Sequence, residues 1–371
     1  MKSSRFVGMD VHEATTSICI RNCGGEIVDE RVIPTTARAF RSLIPCRRAR
    51  WAVAFEEGPL AQWLYELLHG RVGRVVVCNP RYNRLIRAGG KSDRIDAAKL
   101  SELLRLGALR SVTHFGKRHA ITELVHHYEA LVSDSSRIMQ RIRAAYRHAG
   151  VAASGMTVYS VRQRRAWLRK IRSPHTKTRL KALYEQLDAT TRLRDEARCA
   201  MVVQASGYES FAFLCSLPYV GDVRAAQLVA LVAIRSFPSR RHLWSYAGFA
   251  VIVHSSGDHV VNGSGDVRSR PAHARGLTRN YNPRLKRVLK DIALGMSLGR
   301  GPLRAIFDAH VARGLSVPVA RVALARRVAA IIFALLRDQV SFDPALLRSA
   351  DPYPGTGSEQ PRSLSPIEVR A

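Results

Sequence analysis

Acidic residues are scarce in this chain. Its 371 residues include 29 Asp and Glu but 59 Lys and Arg, which gives a formal net charge of +30 and a pI near 11.0. Solubility alone does not require so large an excess of one sign. The charge indicates a polyanionic partner, most simply a nucleic acid bound through its phosphates. A membrane surface bound by basic helices is the weaker alternative.

Other classes of protein are excluded by what else is missing. The six cysteines form no Cys-x-x-Cys pair and show no Cys/His metal spacing, which argues against a zinc site and indicates reduced thiols. No uninterrupted apolar run reaches the roughly 18 residues of a transmembrane helix. The chain starts with a strand-like pattern instead of a signal peptide. We therefore expect a cytoplasmic, nucleoid-associated protein that does not bind membranes.

The first 112 residues alternate between strand and helix patterns. Short apolar segments predict strands at residues 5–11, 14–20, 26–33, 51–55 and 75–78. Helical patterns occupy residues 36–44 and 59–69, and another helix opens near residue 92. Three strands followed by alternating helices and strands predict an α/β domain in which helices cover a sheet.

Four carboxylates occupy the ends of these elements. Asp10 ends the first strand, Glu56 ends the fourth, and Asp93 and Asp96 share one face at the start of a helix. Each has an ordinary structural explanation, as a turn residue, a helix cap or a partner of the helix dipole. Together, on a basic chain, they predict a cluster whose repulsion Mg²⁺ or Mn²⁺ relieves. Glu57 is the alternative to Glu56. Two such ions would support phosphoryl transfer.

Residues 113–206 have the pattern of long helices. Leu124, Leu131 and Ile138 recur at intervals of seven, and a second helical pattern begins near Leu180. The two helices predict a helical hairpin or coiled-coil arm, and we favour an intramolecular pair over a dimer seam. The connecting segment is rich in arginine and almost without acids. It is either a solvated charged face or a surface that meets phosphates.

The last section combines apolar helices with irregular segments. The turn before Asp222 is similar to the glycine loops that hold phosphates at helix N-termini, although a plain helix–helix turn fits equally. Residues 263–279, rich in Gly, Ser and Arg, predict a long mobile loop. Helices are predicted at 284–298 and 317–336, and residues 349–371 read as a disordered tail. Ser255 and Ser256, taken alone, predict only a turn.

The ordered motifs resemble one known family. They are Gly8-Met9-Asp10-Val11-His12, Ala54-Phe55-Glu56, Ser92-Asp93-Arg94-Ile95-Asp96-Ala97, Leu217-Pro218 with Val220-Gly221, Tyr246-Ala247-Gly248, Ser256-Gly257 and Asn282-Pro283-Arg284-Leu285. In this order they resemble the DEDD transposases of the IS one-ten family of bacterial insertion sequences. The Asp-Arg-Ile-Asp segment is the most specific part of the match.

The resemblance implies a fold and an activity. It implies a RuvC-like domain of the RNase H fold at residues 1–112, a helical coiled-coil arm at 113–206, a C-terminal transposase domain at 207–348 and a tail at 349–371. Asp10, Glu56, Asp93 and Asp96 would bind Mg²⁺ or Mn²⁺. Ser256, with Ser255 as its neighbour, would attack DNA and form a covalent intermediate.

The same resemblance implies partners. These are the DNA of the element ends and of the target, a guide RNA encoded by the element, and further copies of the chain in a dimer or tetramer. Two other hypotheses remain open. One is a RuvC-like structure-specific nuclease that uses water as its nucleophile. The other is a nucleic-acid-binding protein without catalytic chemistry, in which the acids serve folding.

Overall fold

A computed structural model describes residues 4–44, 48–79, 92–109, 111, 118–254, 259–269 and 273–347. The chain divides into two compact units, Met1–Ala120 and Ile121–Ala371. Within the described ranges, no helix is long and apolar enough to cross a membrane.

The N-terminal unit is a mixed α/β domain built on one five-stranded sheet. Its elements are β1 (Arg5–Val11), β2 (Thr15–Arg21), β3 (Ile27–Pro34), α1 (Ala37–Leu43), β4 (Arg48–Glu56), α2 (Ala61–Leu68), β5 (Val72–Cys78) and α3 (Asp93–Arg105). The strand order is β3-β2-β1-β4-β5. β1 pairs antiparallel with β2 and parallel with β4, and β4 pairs parallel with β5. The predicted α/β domain is confirmed.

One face of this sheet is covered by α1 and α2. Side chains alternate along a strand, so every second residue points to the same face. Met9 and Phe55 are fully buried on this face, in a cluster with Phe40 of α1 and Leu64 of α2. The apolar positions of both helices therefore find their partners in the odd-numbered positions of β1 and β4.

The opposite face is covered by α3 at unusually close range. Ala54 of β4 shares a cluster with Leu100 of α3. A Cβ atom added to Gly8 of β1 would lie 2.1 Å from the carbonyl oxygen of Ala97 and 2.4 Å from the amide nitrogen of Ser101. Only glycine fits there, so the backbone of α3 rests directly on β1. This contact fixes where the first turn of α3 lies.

Polar contacts hold α3 on the β2–β3 side of the sheet. Arg94 Nε donates to Glu30 Oε2 over 2.8 Å. The buried Ser101 accepts from Arg21 Nε over 3.1 Å, and Arg21 also donates to the carbonyl of Gly25. These contacts restrain rotation of the helix about its axis, so its acidic first turn keeps one orientation.

The C-terminal unit is mainly helical. Its elements are α4 (His119–His148), α5 (Arg164–Arg169), α6 (Pro174–Ser206), α7 (Glu209–Cys215), α8 (Asp222–Leu231), α9 (Arg240–Tyr246), β6 (Val251–His254), β7 (His259–Val261), β8 (Val267–Ser269), β9 (His273–Leu277), α10 (Pro283–Leu298), α11 (Pro302–Ala312) and α12 (Val317–Asp338). One large apolar cluster is formed by α7 to α12 together with one end each of α4 and α6. The predicted helices at 284–298 and 317–336 are confirmed.

The two long helices, α4 and α6, are packed at both ends. Ile121 at the start of α4 and Met201 near the end of α6 lie in the large apolar cluster. At the other end, Tyr146 of α4 and Tyr184 of α6 share a separate cluster with Val158 of the connecting segment. The prediction of two long helices with a basic connector is confirmed, while a coiled coil stays a prediction.

The prediction of a mobile loop over residues 263–279 is wrong in part. β8 pairs with β7 and β9 pairs with β6, and both β8 and β9 lie inside that range. The turn between β7 and β8 is closed by Asn262, whose side-chain oxygen accepts from the amide of Asp266 over 2.7 Å. These strands are three to five residues long and depend on main-chain pairing. Their Gly and Arg content gives no apolar alternation that a sequence pattern detects.

Replacing Gly8 with alanine tests the close approach of α3. We expect Gly8→Ala to destabilise the N-terminal unit by about 1–3 kcal/mol, because α3 must shift to admit the methyl group. Hydrogen exchange of residues 93–105 and denaturant unfolding report the change. Gly58→Ala is the matched control, since its Cβ would meet no atom within 4 Å. Equal stability of the two variants would contradict the proposed packing.

Candidate active site

Asp10 and Glu56 occupy equivalent places in neighbouring parallel strands. The β1–β4 register pairs Met9 with Phe55, so each acid is the next residue along its strand. Both acids share the even-numbered face with Gly8, on the side covered by α3. The sheet therefore directs two of the predicted acids to one edge and one face.

The first turn of α3 supplies the other two acids. Ser92 caps the helix, and its hydroxyl accepts from the amide of Ile95 over 3.3 Å. Asp93 and Asp96 follow in the first turn, where the positive end of the helix dipole stabilises negative charge. Asp96 lies 3.8 Å from Lys99 Nζ. The capped helix and its contact with Gly8 together bring these carboxylates toward the end of β1.

Three side chains meet at that point. Asp10, His12 and Asp93 each offer a ligand atom, and these atoms lie within 4.8 Å of one another. His12 Nε2 is 3.3 Å from Asp10 Oδ2 and 3.5 Å from Asp93 Oδ2. Both His12 and Asp93 are more than half exposed, whereas Asp10 retains only 20% of its side-chain exposure. The group is open to solvent on one side and buried on the other.

The electrostatics of Asp10 reflect this crowding. Burial raises the pKa of the Asp10 carboxyl, His12 opposes the shift, and the nearby Asp93 and Asp96 raise the pKa further. Asp96 is thus an electrostatic neighbour of Asp10, although it is not part of the compact group. A carboxylate held in this way gains from any cation that binds beside it.

The two glutamates at the end of β4 have different surroundings. Glu56 is the cross-strand partner of Cys78, and burial, followed by the Glu56 charge, raises the pKa of the Cys78 thiol to about 12. Glu57 follows the end of β4, its side chain accepts from Asn79 Nδ2 over 2.8 Å, and its charge also raises the pKa of Cys78. Glu56 shares a strand face with Asp10, while the Glu57 side chain has Asn79 as a hydrogen-bond partner.

The structure brings the predicted acids together only in part. Asp10 and Asp93 lie within common ligand range, and Asp96 influences Asp10 through its charge. Among the described residues, the compact group does not include Glu56, which shares only the face and edge. Sequence reasoning missed His12. An available signal was the Asp10-Val11-His12 spacing, because residues two apart on a strand point to the same side.

The predicted nucleophile belongs to the C-terminal unit. Ser256 and its alternative Ser255 follow β6 along the chain and lie outside the described residues. The motif glycine before β6, Gly248, has φ +75°, and a Cβ there would lie 2.6 Å from the ring of Tyr281. Its backbone therefore packs directly against that ring.

Two further motif residues lock this region to α10. Asn282 caps α10 by accepting from the amide of Arg284 over 3.0 Å. The Asn282 amide nitrogen also donates to the Tyr246 hydroxyl, and its backbone amide donates to the Tyr246 carbonyl, both over 2.8 Å. The motifs that are distant in sequence are thus one packed unit beside the start of β6.

Comparisons with known proteins identify the class. A family model described as a transposase of the DEDD IS110 type matches residues 7–149. A second, described as the transposase IS116/IS110/IS902 family, matches residues 212–305. The insertion element IS110 uncharacterized 43.6 kDa protein of Streptomyces coelicolor is 33% identical over 131 residues. That alignment covers 35% of this chain and only 29% of the relative.

Both family models describe transposases, and they match the two ends of the motif series in the expected order. The chain belongs to the IS110 family of transposases, which is the IS one-ten family of the sequence resemblance. The first match includes Asp10, Glu56, Asp93 and Asp96, and the second includes Ser256.

Removing the Asp10 charge tests the electrostatics of the cluster. A carboxyl whose pKa is higher in the folded than in the unfolded state destabilises the folded protein once it ionises. At neutral pH, Asp10 therefore lowers the stability of the metal-free protein. We expect Asp10→Asn to unfold at a higher temperature than wild type in EDTA at neutral pH. Glu13→Gln, which removes an exposed charge nearby, is the control and should change little. A lower unfolding temperature for Asp10→Asn would contradict the expectation that the Asp10 carboxylate destabilises the metal-free protein.

Proposed function

We propose that the chain is a DNA transposase that excises and inserts its own insertion sequence. Metal-bound carboxylates of the N-terminal unit and a serine of the C-terminal unit would act on DNA strands. The observation that supports this most is the approach of Asp10, His12 and Asp93 within 4.8 Å, inside the region matched by the DEDD family model.

The sheet topology supports a RuvC-like domain of the RNase H fold. An antiparallel β1–β2–β3 meander continues into parallel β4 and β5, in the order β3-β2-β1-β4-β5. In this arrangement the central strand β1 and its parallel neighbour β4 end at the same edge. That edge bears Asp10 and Glu56, the positions where the proposed chemistry needs carboxylates.

The donor set fits a hard divalent ion. Asp10, Glu56, Asp93 and Asp96 would hold Mg²⁺ or Mn²⁺, which neutralises charge on the scissile phosphate and activates oxygen nucleophiles. The raised pKa of Asp10 agrees with a site that is strained without a cation. We include His12 as a nitrogen ligand, because Nε2 lies against both carboxylates. Nitrogen donors favour Mn²⁺ over Mg²⁺.

Ser256 is the proposed nucleophile, with Ser255 as the alternative. Its hydroxyl oxygen would form a phosphoester bond with the scissile phosphorus as the bond to one sugar oxygen breaks. The serine hydroxyl loses its proton and the departing sugar oxygen gains a proton. One phosphoester bond therefore replaces another. Cys78 is not a rival nucleophile, because its thiol stays protonated at neutral pH.

The remaining parts of the proposal concern partners. The net charge of +30 suits both DNA and a guide RNA from the element, with base pairing reading the sequence and the protein reading the backbone. We also propose a homo-oligomer in which α4 and α6 act as a coiled-coil arm, in the bacterial cytoplasm where its DNA lies.

A trapping assay tests the central step. The protein is expressed with its flanking element DNA, which supplies any guide RNA, and a denaturation-resistant protein–DNA adduct and joined element ends are measured. We expect both products from wild type and neither from Ser256→Ala. Asp10→Ala and Asp96→Ala should lower both products by at least about a hundredfold, because each removes a carboxylate that would hold the charge-stabilising metal ion.

The same assay separates the rival hypotheses. If Ser256→Ala still cuts DNA while the acid variants do not, water is the nucleophile and the protein is a nuclease. If Ser255→Ala rather than Ser256→Ala abolishes the adduct, the nucleophile is the neighbouring serine. Binding without any cleavage in wild type would support the non-catalytic alternative.

Pulsed electron paramagnetic resonance of bound Mn²⁺ tests the ligand set. We expect wild type to bind Mn²⁺ with nuclear modulation from an imidazole nitrogen. His12→Asn should lose that modulation and part of its preference for Mn²⁺ over Mg²⁺, and Glu13→Gln should retain both. Mn²⁺ bound without nitrogen modulation would remove His12 from the ligand set but leave the carboxylates. Absence of Mn²⁺ binding would contradict the metal site itself.

A further inference from the structure

At the end where the connecting segment joins α4 to α6, which we call the distal end, every charged side chain is a Lys or an Arg, with histidine counted as neutral. Between Asp134 and Glu185, the sequence has thirteen Lys and Arg and no Asp or Glu over fifty residues. A solvated helical face ordinarily mixes the two signs, as the rest of α6 does with Asp188, Asp195 and Glu196. The one-signed stretch therefore needs a reason other than solubility.

The connecting segment between α4 and α6 contains the short helix α5. One side of this segment packs against the two long helices. Arg164 donates to both oxygens of Asp188 on α6 and lies over the Tyr184 ring, 4.6 Å from its centroid. Trp167 packs edge-to-face on Tyr146 of α4, and Ile171 is fully buried in the same cluster. These inward-facing positions, spaced by three and four, hold α5 against the helix pair.

A buried tyrosine pair stiffens the anchor further. The hydroxyls of Tyr146 and Tyr184 lie 3.0 Å apart, and the Tyr184 hydroxyl donates to the carbonyl of Val158 over 2.8 Å. This bond ties the connecting segment to both long helices. The segment is thus a packed cap on the far end of the pair, about 45 Å from the opposite end of the 30-residue helix α4.

The outward side of this cap presents three arginines. Arg165 and Arg169 are four residues apart on α5 and therefore share one side of it, and Arg162 lies in the 3₁₀ turn Val161–Gln163 directly before that helix. All three are exposed, and none forms an ion pair with a described residue. Arg172 is also exposed, and the Lys170 ammonium lies 3.9 Å from the centroid of the Trp167 ring. Exposed guanidinium groups without ion-pair partners among the described residues can bind phosphate oxygens through paired N–H donors.

We propose that this distal cap, centred on Arg162, Arg165 and Arg169, binds the phosphodiester backbone of a nucleic acid. The helix pair would carry this contact far from the C-terminal core, so that the chain touches its polyanion at a second, remote place. The inference rests on the proposed function only for the nature of the polyanion. It requires neither the metal site nor Ser256.

Salt-dependent binding by the full chain tests the proposal. Binding of a labelled arbitrary-sequence DNA duplex, and separately of an RNA hairpin, is measured in EDTA over a range of KCl concentrations, without strand cleavage. We expect Arg162→Gln/Arg165→Gln/Arg169→Gln to reduce the slope of log K against log salt by about 2–3 units on duplex DNA, since each lost phosphate contact removes about 0.9. Affinity near physiological salt should fall at least about tenfold.

A matched triple variant controls for the loss of charge itself. Arg192→Gln/Arg194→Gln/Arg198→Gln removes the same charge from the same helix pair, where Arg192 and Arg194 are paired with Glu196 and Asp195. It should change the slope by less than about one unit. Arg162→Lys/Arg165→Lys/Arg169→Lys keeps the charge and should retain most of the binding, which separates charge from folding.

The two nucleic acids distinguish the source of the phosphates. A loss on the duplex alone assigns the cap to DNA, a loss on the hairpin alone assigns it to RNA, and a loss on both assigns it to the shared backbone. Equal effects of the two glutamine variants, or no effect of the cap variant on either nucleic acid, would overturn the proposal. A failure of strand joining with intact cap binding would instead count against the proposed function.

Discussion

The close contact between α3 and β1 at Gly8 is the constraint on which the site depends. Because no side chain separates the two backbones there, α3 packs directly on β1 and its position relative to the strand is fixed. The first turn of α3 is then one helical turn from the contact, and Asp10 is two residues along the strand. The approach of Asp93 to Asp10 follows from this packing and not from attraction, since like charges repel.

The position of α3 also explains why acids from distant parts of the chain share one environment. Side chains alternate along β1 and β4, so Met9 and Phe55 lie in the core beneath α1 and α2. The next residue of each strand, Asp10 or Glu56, then lies on the face covered by α3. A shift of one residue in either strand would bury a carboxylate in that core. The register of the sheet therefore determines which residues face the site.

Much of this arrangement follows from local sequence signals. The five strands, the cap at Ser92 and the acids of the first turn have clear local patterns, and the structure places them within a few residues of the expected ends. His12 was missed although it lies two residues after Asp10, because a single histidine beside one acid does not indicate a ligand group until the fold brings Asp93 next to both. The pairing of β7 with β8 and of β6 with β9 was missed, because these short strands are held by main-chain pairing. Ser256, outside the described residues, rests on motif and family alone.

We propose that the carboxylates facing α3 at the ends of β1 and β4 form a divalent-metal site. Anomalous scattering from crystals soaked in Mn²⁺ would locate the bound ion directly. We expect a manganese peak within about 2.0–2.3 Å of Asp10 and Asp93 oxygens, near the range of hard-ion coordination. It should vanish in Asp10→Asn. A peak elsewhere, or crystals that take up no manganese at this edge of the sheet, would contradict the claim.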